Sequence, residues 1–113
     1  MPTILCIEDE HLVREDIVEE LEDSGFDVLV ADDGIKGLEM ILSHKPDLVI
    51  CDITMPHMDG FQLLEEIRGK YKLMADMPFI FLSALADEEH VLTGLKEGAD
   101  NYLTKPVDFD LLK

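Results

Sequence analysis

Five residues able to handle a charged group sit just after short apolar runs. Glu8 and Asp9 follow Thr3–Ile7, Asp52 follows Leu48–Cys51, Ser83 follows Phe79–Leu82, and Lys105 follows Tyr102–Thr104. Taken singly, each has an ordinary explanation: an aspartate caps a helix or shapes a turn, a serine caps the turn after it, and a lysine lies along the surface. Taken together they suggest a reaction. If the first and third runs are neighbours, three carboxylates converge, and each close pair repels by about 4 kcal/mol at 4 Å and an effective dielectric near 20. Such a cluster calls for a cation, and an all-oxygen donor set with room for water and phosphate favours Mg²⁺ over Ca²⁺. A carboxylate, a hydroxyl and an ammonium beside a hard cation form a set suited to phosphoryl transfer. In that chemistry Asp52 is the nucleophile that forms an acyl phosphate. Ser83 donates a hydrogen bond to one phosphoryl oxygen and Lys105 ion-pairs with another, while the small Ala84 leaves room for the group.

Those residues need elements that deliver them to one place. The runs at Thr3–Ile7, Leu48–Cys51 and Phe79–Leu82 are short and do not alternate, as expected of strands buried on both faces, and Val28–Ala31 and Tyr102–Thr104 read as two further short strands. Helical periodicity fills the gaps. Val13, Ile17 and Leu21, with Leu12 and Val18 beside them, mark a first helix whose Arg14 and acids face outward and which stops at Gly25. Ile35, Leu38, Ile41 and Leu42 mark a second, ended before Lys45 and Pro46. Leu63, Leu64 and Ile67 mark a third, followed by a polar connection from Gly69 to Met77. A fourth, capped by Asp87, carries Val91, Leu92 and Leu95 and breaks at Gly98, and a fifth, capped by Asp108, is represented only by Phe109–Lys113. Strand and helix alternate five times, so a parallel sheet covered on both faces follows, with ligands expected at the carboxyl ends of its strands.

The chain has 113 residues, 47% of them hydrophobic, which is one domain able to bury roughly two-thirds of its unfolded surface. Cys6 and Cys51 lie inside apolar runs and read as buried, reduced thiols. A formal net charge of -17 argues against this domain gripping nucleic acid. No run approaches the roughly 18 apolar residues of a membrane span, and no charged-then-apolar leader opens the chain, so the expectation is a cytoplasmic protein away from the membrane. His11, His44, His57 and His90 lack ligand spacing and read as surface residues. Met55 and Met58 read as loop packing.

The pattern resembles the receiver domain of two-component response regulators, the CheY-like phosphoacceptor. The resemblance rests on Glu8 and Asp9 after the first strand; Asp52, Met55, Pro56, Asp59 and Gly60 after the third; Ser83 and Ala84 after the fourth; and Lys105 with Pro106 after the fifth. It covers the whole chain. It implies a flavodoxin-like (βα)5 doubly wound sheet of five parallel strands in the order 2-1-3-4-5, the fifth helix being truncated here. It also implies Asp52 as phosphoacceptor, and Mg²⁺ held by Asp9, Asp52 and the backbone carbonyl of Thr54, with Glu8 assisting through water. Ser83 and Tyr102 become a switch pair, and Lys105 and Pro106 are joined by a cis peptide bond. The implied partners are a sensor histidine kinase and an output domain or protein reached through helix four, strand five and helix five, with a homodimer on phosphorylation as one form of output. Residues 1–113 are then expected to be the N-terminal receiver part of a longer protein.

Two other readings use the same residues. A phosphatase of the haloacid-dehalogenase type also combines an Asp nucleophile, a Ser or Thr, a Lys and Mg²⁺. It requires a second Asp two residues past the nucleophile, where this chain has Thr54, and it places its acidic pair late in the chain. The third reading is a phosphorylation-independent scaffold.

Overall fold

The computed structural model describes residues 2–55, 57–71, 76–83, 92–93, 95–96 and 98–104. Along the chain run β1 (Thr3–Ile7), α1 (His11–Asp23), β2 (Asp27–Ala31), α2 (Gly34–His44), β3 (Leu48–Cys51), α3 (Gly60–Lys70), β4 (Phe79–Ser83) and β5 (Asn101–Thr104). The strands form one parallel sheet in the order β2-β1-β3-β4-β5, as the resemblance implies.

Alternation along the strands divides the apolar interior in two. Leu5 and Ile7 of β1, Val49 and Cys51 of β3, and Phe79 and Phe81 of β4 face Ile41 of α2 and Leu63, Leu64 and Ile67 of α3. Ile4, Cys6, Ile50 and Leu82 face Ile17 and Leu21 of α1 on the opposite side. That division follows from right-handed crossovers: the winding runs from β1 out to β2, then returns past β1 to β3 and onward, so α1 lies on one face and α2 and α3 on the other. The reversal opens a crevice between the carboxyl ends of β1 and β3. Both cysteines are buried thiols, as expected.

The helix boundaries have local causes. Asp59 caps α3 through a reciprocal box: its carboxylate accepts the Gln62 N–H at 2.8 Å and the Gln62 side chain accepts the Asp59 N–H at 2.9 Å. Asp33 caps α2 by accepting the Lys36 N–H at 2.8 Å. α1 ends at Asp23, with Gly25 at a φ of 94° just beyond.

Three expectations shift. α3 continues through Gly69 to Lys70, so the connection to β4 starts later than Gly69. Leu12, expected beside the apolar stripe of α1, is 75% exposed, because it lies about 100° round from Val13 in the first turn. In α2 the inward face is Gly34, Gly37 and Ile41, while Ile35 and Leu42 are exposed. Glycine sets that rotation: a Cβ on Gly37 would stand 2.5 Å from Ile7 Cδ1, and one on Gly34 would stand 2.2 Å from the Met58 carbonyl oxygen. The expected caps Asp87 and Asp108, Val91 and the fifth helix lie outside the described residues. Leu92 and Leu95 are described, in helical backbone, and both are exposed.

Candidate functional site

β3 stops at Cys51, and Asp52 follows with its N–H still bonded to the Ile7 carbonyl at 2.9 Å. One side-chain oxygen, Oδ1, accepts the Ile53 N–H at 2.7 Å, which fixes the carboxylate's direction. The residue is only 6% exposed. On the neighbouring strand Glu8 carries the ladder one residue past β1, its N–H bonded to the Ala31 carbonyl at 3.0 Å. The chain then bends at Asp9. Consecutive side chains in an extended strand point to opposite faces, so the bend is what allows both Glu8 and Asp9 to serve one site.

One carboxylate oxygen from each of Glu8, Asp9 and Asp52 lies within 4.8 Å of the other two. Glu8 is 1% exposed and Asp9 is open to solvent, so two buried carboxylates are joined by one at the rim. Glu8 Oε2 accepts the Glu10 N–H at 3.3 Å, and the Glu8 carbonyl accepts from Arg14 Nη1 at 2.8 Å. The donor set is oxygen throughout, with neither His nor Cys in it, which suits a hard divalent cation with an exposed side for water and phosphate. The residues fit Mg²⁺.

The loop after β3 folds back onto this edge. The Gly60 N–H bonds the Ile53 carbonyl at 2.8 Å, and a Cβ on Gly60 would stand 2.4 Å from the Asp52 carbonyl oxygen. Only a residue without a side chain allows that approach. Thr54 is exposed in the same loop, and Met55 is buried with the α2–α3 core. Cys51 Sγ donates to the Asp52 carbonyl at 3.0 Å; burial, and after it the charge of Asp52, pushes the thiol well above its usual range.

Ser83 ends β4, the strand beside β3, and is buried. Tyr102 pairs with Phe81 across β4 and β5, and its buried ring lies 6.1 Å from the Phe81 ring. Glu8, Asp9, Asp52 and Ser83 thus occupy the carboxyl edge of the sheet, as expected from their places after the apolar runs. Ala84, Lys105, Pro106 and the peptide bond joining the last two lie outside the described residues. His11, His44 and His57 are exposed and His90 is not described. Two contributors escaped the sequence reading. Arg14 falls on the outward face of the helical pattern, and no periodic signal reports a guanidinium turned back to a backbone carbonyl. Gly60 stood in the quoted motif, but its contact with Asp52 is a property of the folded loop.

Among the described residues no helix is long and apolar enough to cross a membrane. Residues 4–113 match the family described as the response regulator receiver domain. The DNA-binding dual master transcriptional regulator RpaA of Synechocystis is 38% identical over 110 residues, covering 97% of this chain and 45% of that protein. The transcriptional regulatory protein CseB of Streptomyces avermitilis is 40% identical over 105 residues, covering 93% of this chain and 43% of that one. The chain therefore spans less than half the length of these relatives. Among solved structures, the receiver domain of the Francisella response regulator 1452 superposes with a TM-score of 0.90 at 38% identity, covering 99% of this chain and 90% of that one. The Vibrio cholerae chemotaxis protein CheY4 superposes with a TM-score of 0.89 at 27% identity, covering 99% and 92%.

Proposed function

The chain belongs to the response regulator receiver domain family, a regulatory rather than catalytic domain of two-component signalling, and from that premise we propose that Asp52 is its phosphoacceptor. The observation that carries the reading is the convergence of the Glu8, Asp9 and Asp52 carboxylates within 4.8 Å at the β1–β3 crevice. In this reading an Asp52 carboxylate oxygen attacks the phosphorus of a histidine kinase phosphohistidine. The P–N bond breaks, and its electron pair leaves with the imidazole, which takes up a proton. Asp9, Asp52 and the Thr54 carbonyl would hold Mg²⁺, with Glu8 acting through water. The ion would supply positive charge against the phosphoryl oxygens.

Ser83 donates to a phosphoryl oxygen and Lys105 balances its charge. The pair Ser83 and Tyr102 then shifts with the acyl phosphate, so phosphorylation biases an equilibrium between two conformations by a few kcal/mol. The same residues assist slow hydrolysis of the acyl phosphate. The domain would work in the cytoplasm as the receiver part of a longer protein, passing its state through helix four, strand five and helix five to an output domain or partner, or to a second copy. The family match disfavours the haloacid-dehalogenase and scaffold readings.

The test is intact mass after acetyl phosphate and Mg²⁺. Wild type gains one phosphoryl group and Asp52→Asn gains none. Equal labelling of both proteins would overturn Asp52 as acceptor, and repeated turnover of a phosphomonoester would revive the phosphatase reading.

A further inference from the structure

We infer that Arg14 is a positioning residue for the carboxylate site, holding the bent Glu8–Asp9 backbone so that two consecutive carboxylates are turned toward Asp52. The inference rests on the reading of that site as a Mg²⁺ site, and the observations behind it are independent of any ion. The bend at Asp9 takes the Glu8 carbonyl past the end of β1, and Arg14 Nη1 donates to that carbonyl at 2.8 Å in a part-buried position. The guanidinium is itself held from the other side. Its Nη2 lies 3.1 Å from His11 Nδ1, and His11 Nε2 lies 3.1 Å from Glu15 Oε1. With the ring proton on Nε2, His11 donates to Glu15 and accepts from Arg14, which aims the planar fork at the loop. His11, Arg14 and Glu15 all belong to α1, so the helix that begins after the loop also clamps it.

A second role for a cation here has the opposite sign. If Arg14 merely offset the charge of the carboxylates, its removal would deepen the negative potential and tighten Mg²⁺. If it positions them, removal lets Glu8 and Asp9 relax apart and weakens Mg²⁺. Outer contacts that orient metal ligands are typically worth about 10-fold or more in affinity. Lys36 supplies the control, being an exposed cation paired with Asp32 at 3.0 Å just after β2.

Calorimetric titration with Mg²⁺ alone would compare the chain with Arg14→Ala, Arg14→Lys and Lys36→Ala at one pH and ionic strength. The expected result is about 10-fold weaker binding for Arg14→Ala, an intermediate loss for Arg14→Lys, which keeps the charge but not the fork, and no weakening for Lys36→Ala. Metal-free amide exchange should accelerate at Asp9 and Glu10 in Arg14→Ala, with β3 unchanged. Unchanged or tighter Mg²⁺ binding by Arg14→Ala would overturn the inference. A wild-type chain that takes up no Mg²⁺ would bring down the site reading instead, and the exchange measurement would still decide whether Arg14 holds the backbone.

Discussion

The two ends of the sheet are built on opposite principles. At the carboxyl end, Glu8, Asp9 and Asp52 bring like charges together, two of them almost out of water. At the amino end, charged groups are matched to donors and acceptors of neighbouring segments. Arg68 reaches from α3 to the Gly98 carbonyl through Nη2 at 2.9 Å, to the Met77 carbonyl through Nη1 at 2.7 Å, and to Asp100 Oδ2 at 3.3 Å. Asp100 Oδ2 also accepts the Phe79 N–H at 2.8 Å, and Asp47 Oδ2 accepts the Thr3 N–H at 2.7 Å. One end stitches α3, β4 and β5 together, while the other holds repulsion in reserve for a ligand to relieve. Stability and chemistry are therefore separable in this fold, and removing a charge at the two ends should change stability with opposite signs.

The largest effect is expected at the stitched end. Arg68→Ala removes a charged donor from two backbone carbonyls and one carboxylate, with the arginine side chain only 19% exposed. Hydrogen bonds involving a charged group contribute about 1.5 to 3 kcal/mol each, and water reaching the released carbonyls recovers part of that. A loss of about 2 to 4 kcal/mol in urea unfolding is expected. Mg²⁺ affinity of the folded protein should stay the same. A weakened Mg²⁺ site in this variant would show that the two ends are coupled.

Gly60→Ala comes next, because it perturbs both packing and chemistry. An added methyl would stand 2.4 Å from the Asp52 carbonyl oxygen and 3.0 Å from Ile53 Cα, both of them backbone atoms that cannot rotate away. Overpacking of this kind costs about 1 to 3 kcal/mol. The stability loss should come with impaired phosphorylation by acetyl phosphate, since relief of the clash must move Asp52 or the α3 start. Gly69→Ala is the comparison, as nothing lies within 4 Å of its added methyl.

The contrast between the ends also marks what could be read from the chain. The run Leu48–Cys51 was legible to the residue because a strand buried on both faces has to be apolar at every position. Glu8, Asp9 and Asp52 were legible as residues at strand ends, but their meeting depends on β1 lying beside β3, which no local pattern records. The face of α2 is hidden from the sequence pattern for a related reason. Gly34 and Gly37 form its close approach to Met58 and Ile7, and glycine adds nothing to an apolar stripe. Arg14 and Arg68 look like solvated cations in a helical pattern, whereas their long arms end on backbone carbonyls of other segments.

Asp52→Asn should raise stability in the absence of divalent ions. The amide can keep the acceptor for the Ile53 N–H while removing one of three mutually repelling charges. A pair at about 4 Å repels by about 1 to 4 kcal/mol between bulk and near-surface dielectrics, and relaxation of the exposed Asp9 takes up part of it, so a gain of about 1 kcal/mol is expected. Mg²⁺ should then reverse the order: an ion that binds the folded wild type at 100 times its Kd adds about 2.7 kcal/mol, and the variant with one fewer charge gains less. Thermal midpoints of both proteins with and without Mg²⁺ would show the crossing. Wild type more stable than Asp52→Asn in chelator would mean that the carboxylates do not repel as placed.

The smallest effect belongs to His57, exposed in the loop between Asp52 and α3 with a φ of 68°. A side chain in the left-handed region costs about 1 to 2 kcal/mol that glycine does not incur. His57→Gly relieves that cost and gives back about half to one kcal/mol through the greater freedom of the unfolded chain. The net change should be a gain of no more than about 1 kcal/mol, with Mg²⁺ affinity within a factor of two of wild type. Lys45→Gly, at a φ of 47° where α2 ends on the amino side of the sheet, faces the same balance and should give a similar figure. Two small, equal gains would place the difference between the ends in their charges, since backbone strain would then be the same at both. A clear loss of stability or of Mg²⁺ binding in His57→Gly alone would instead make the turn at His57 part of what holds the carboxylates in place.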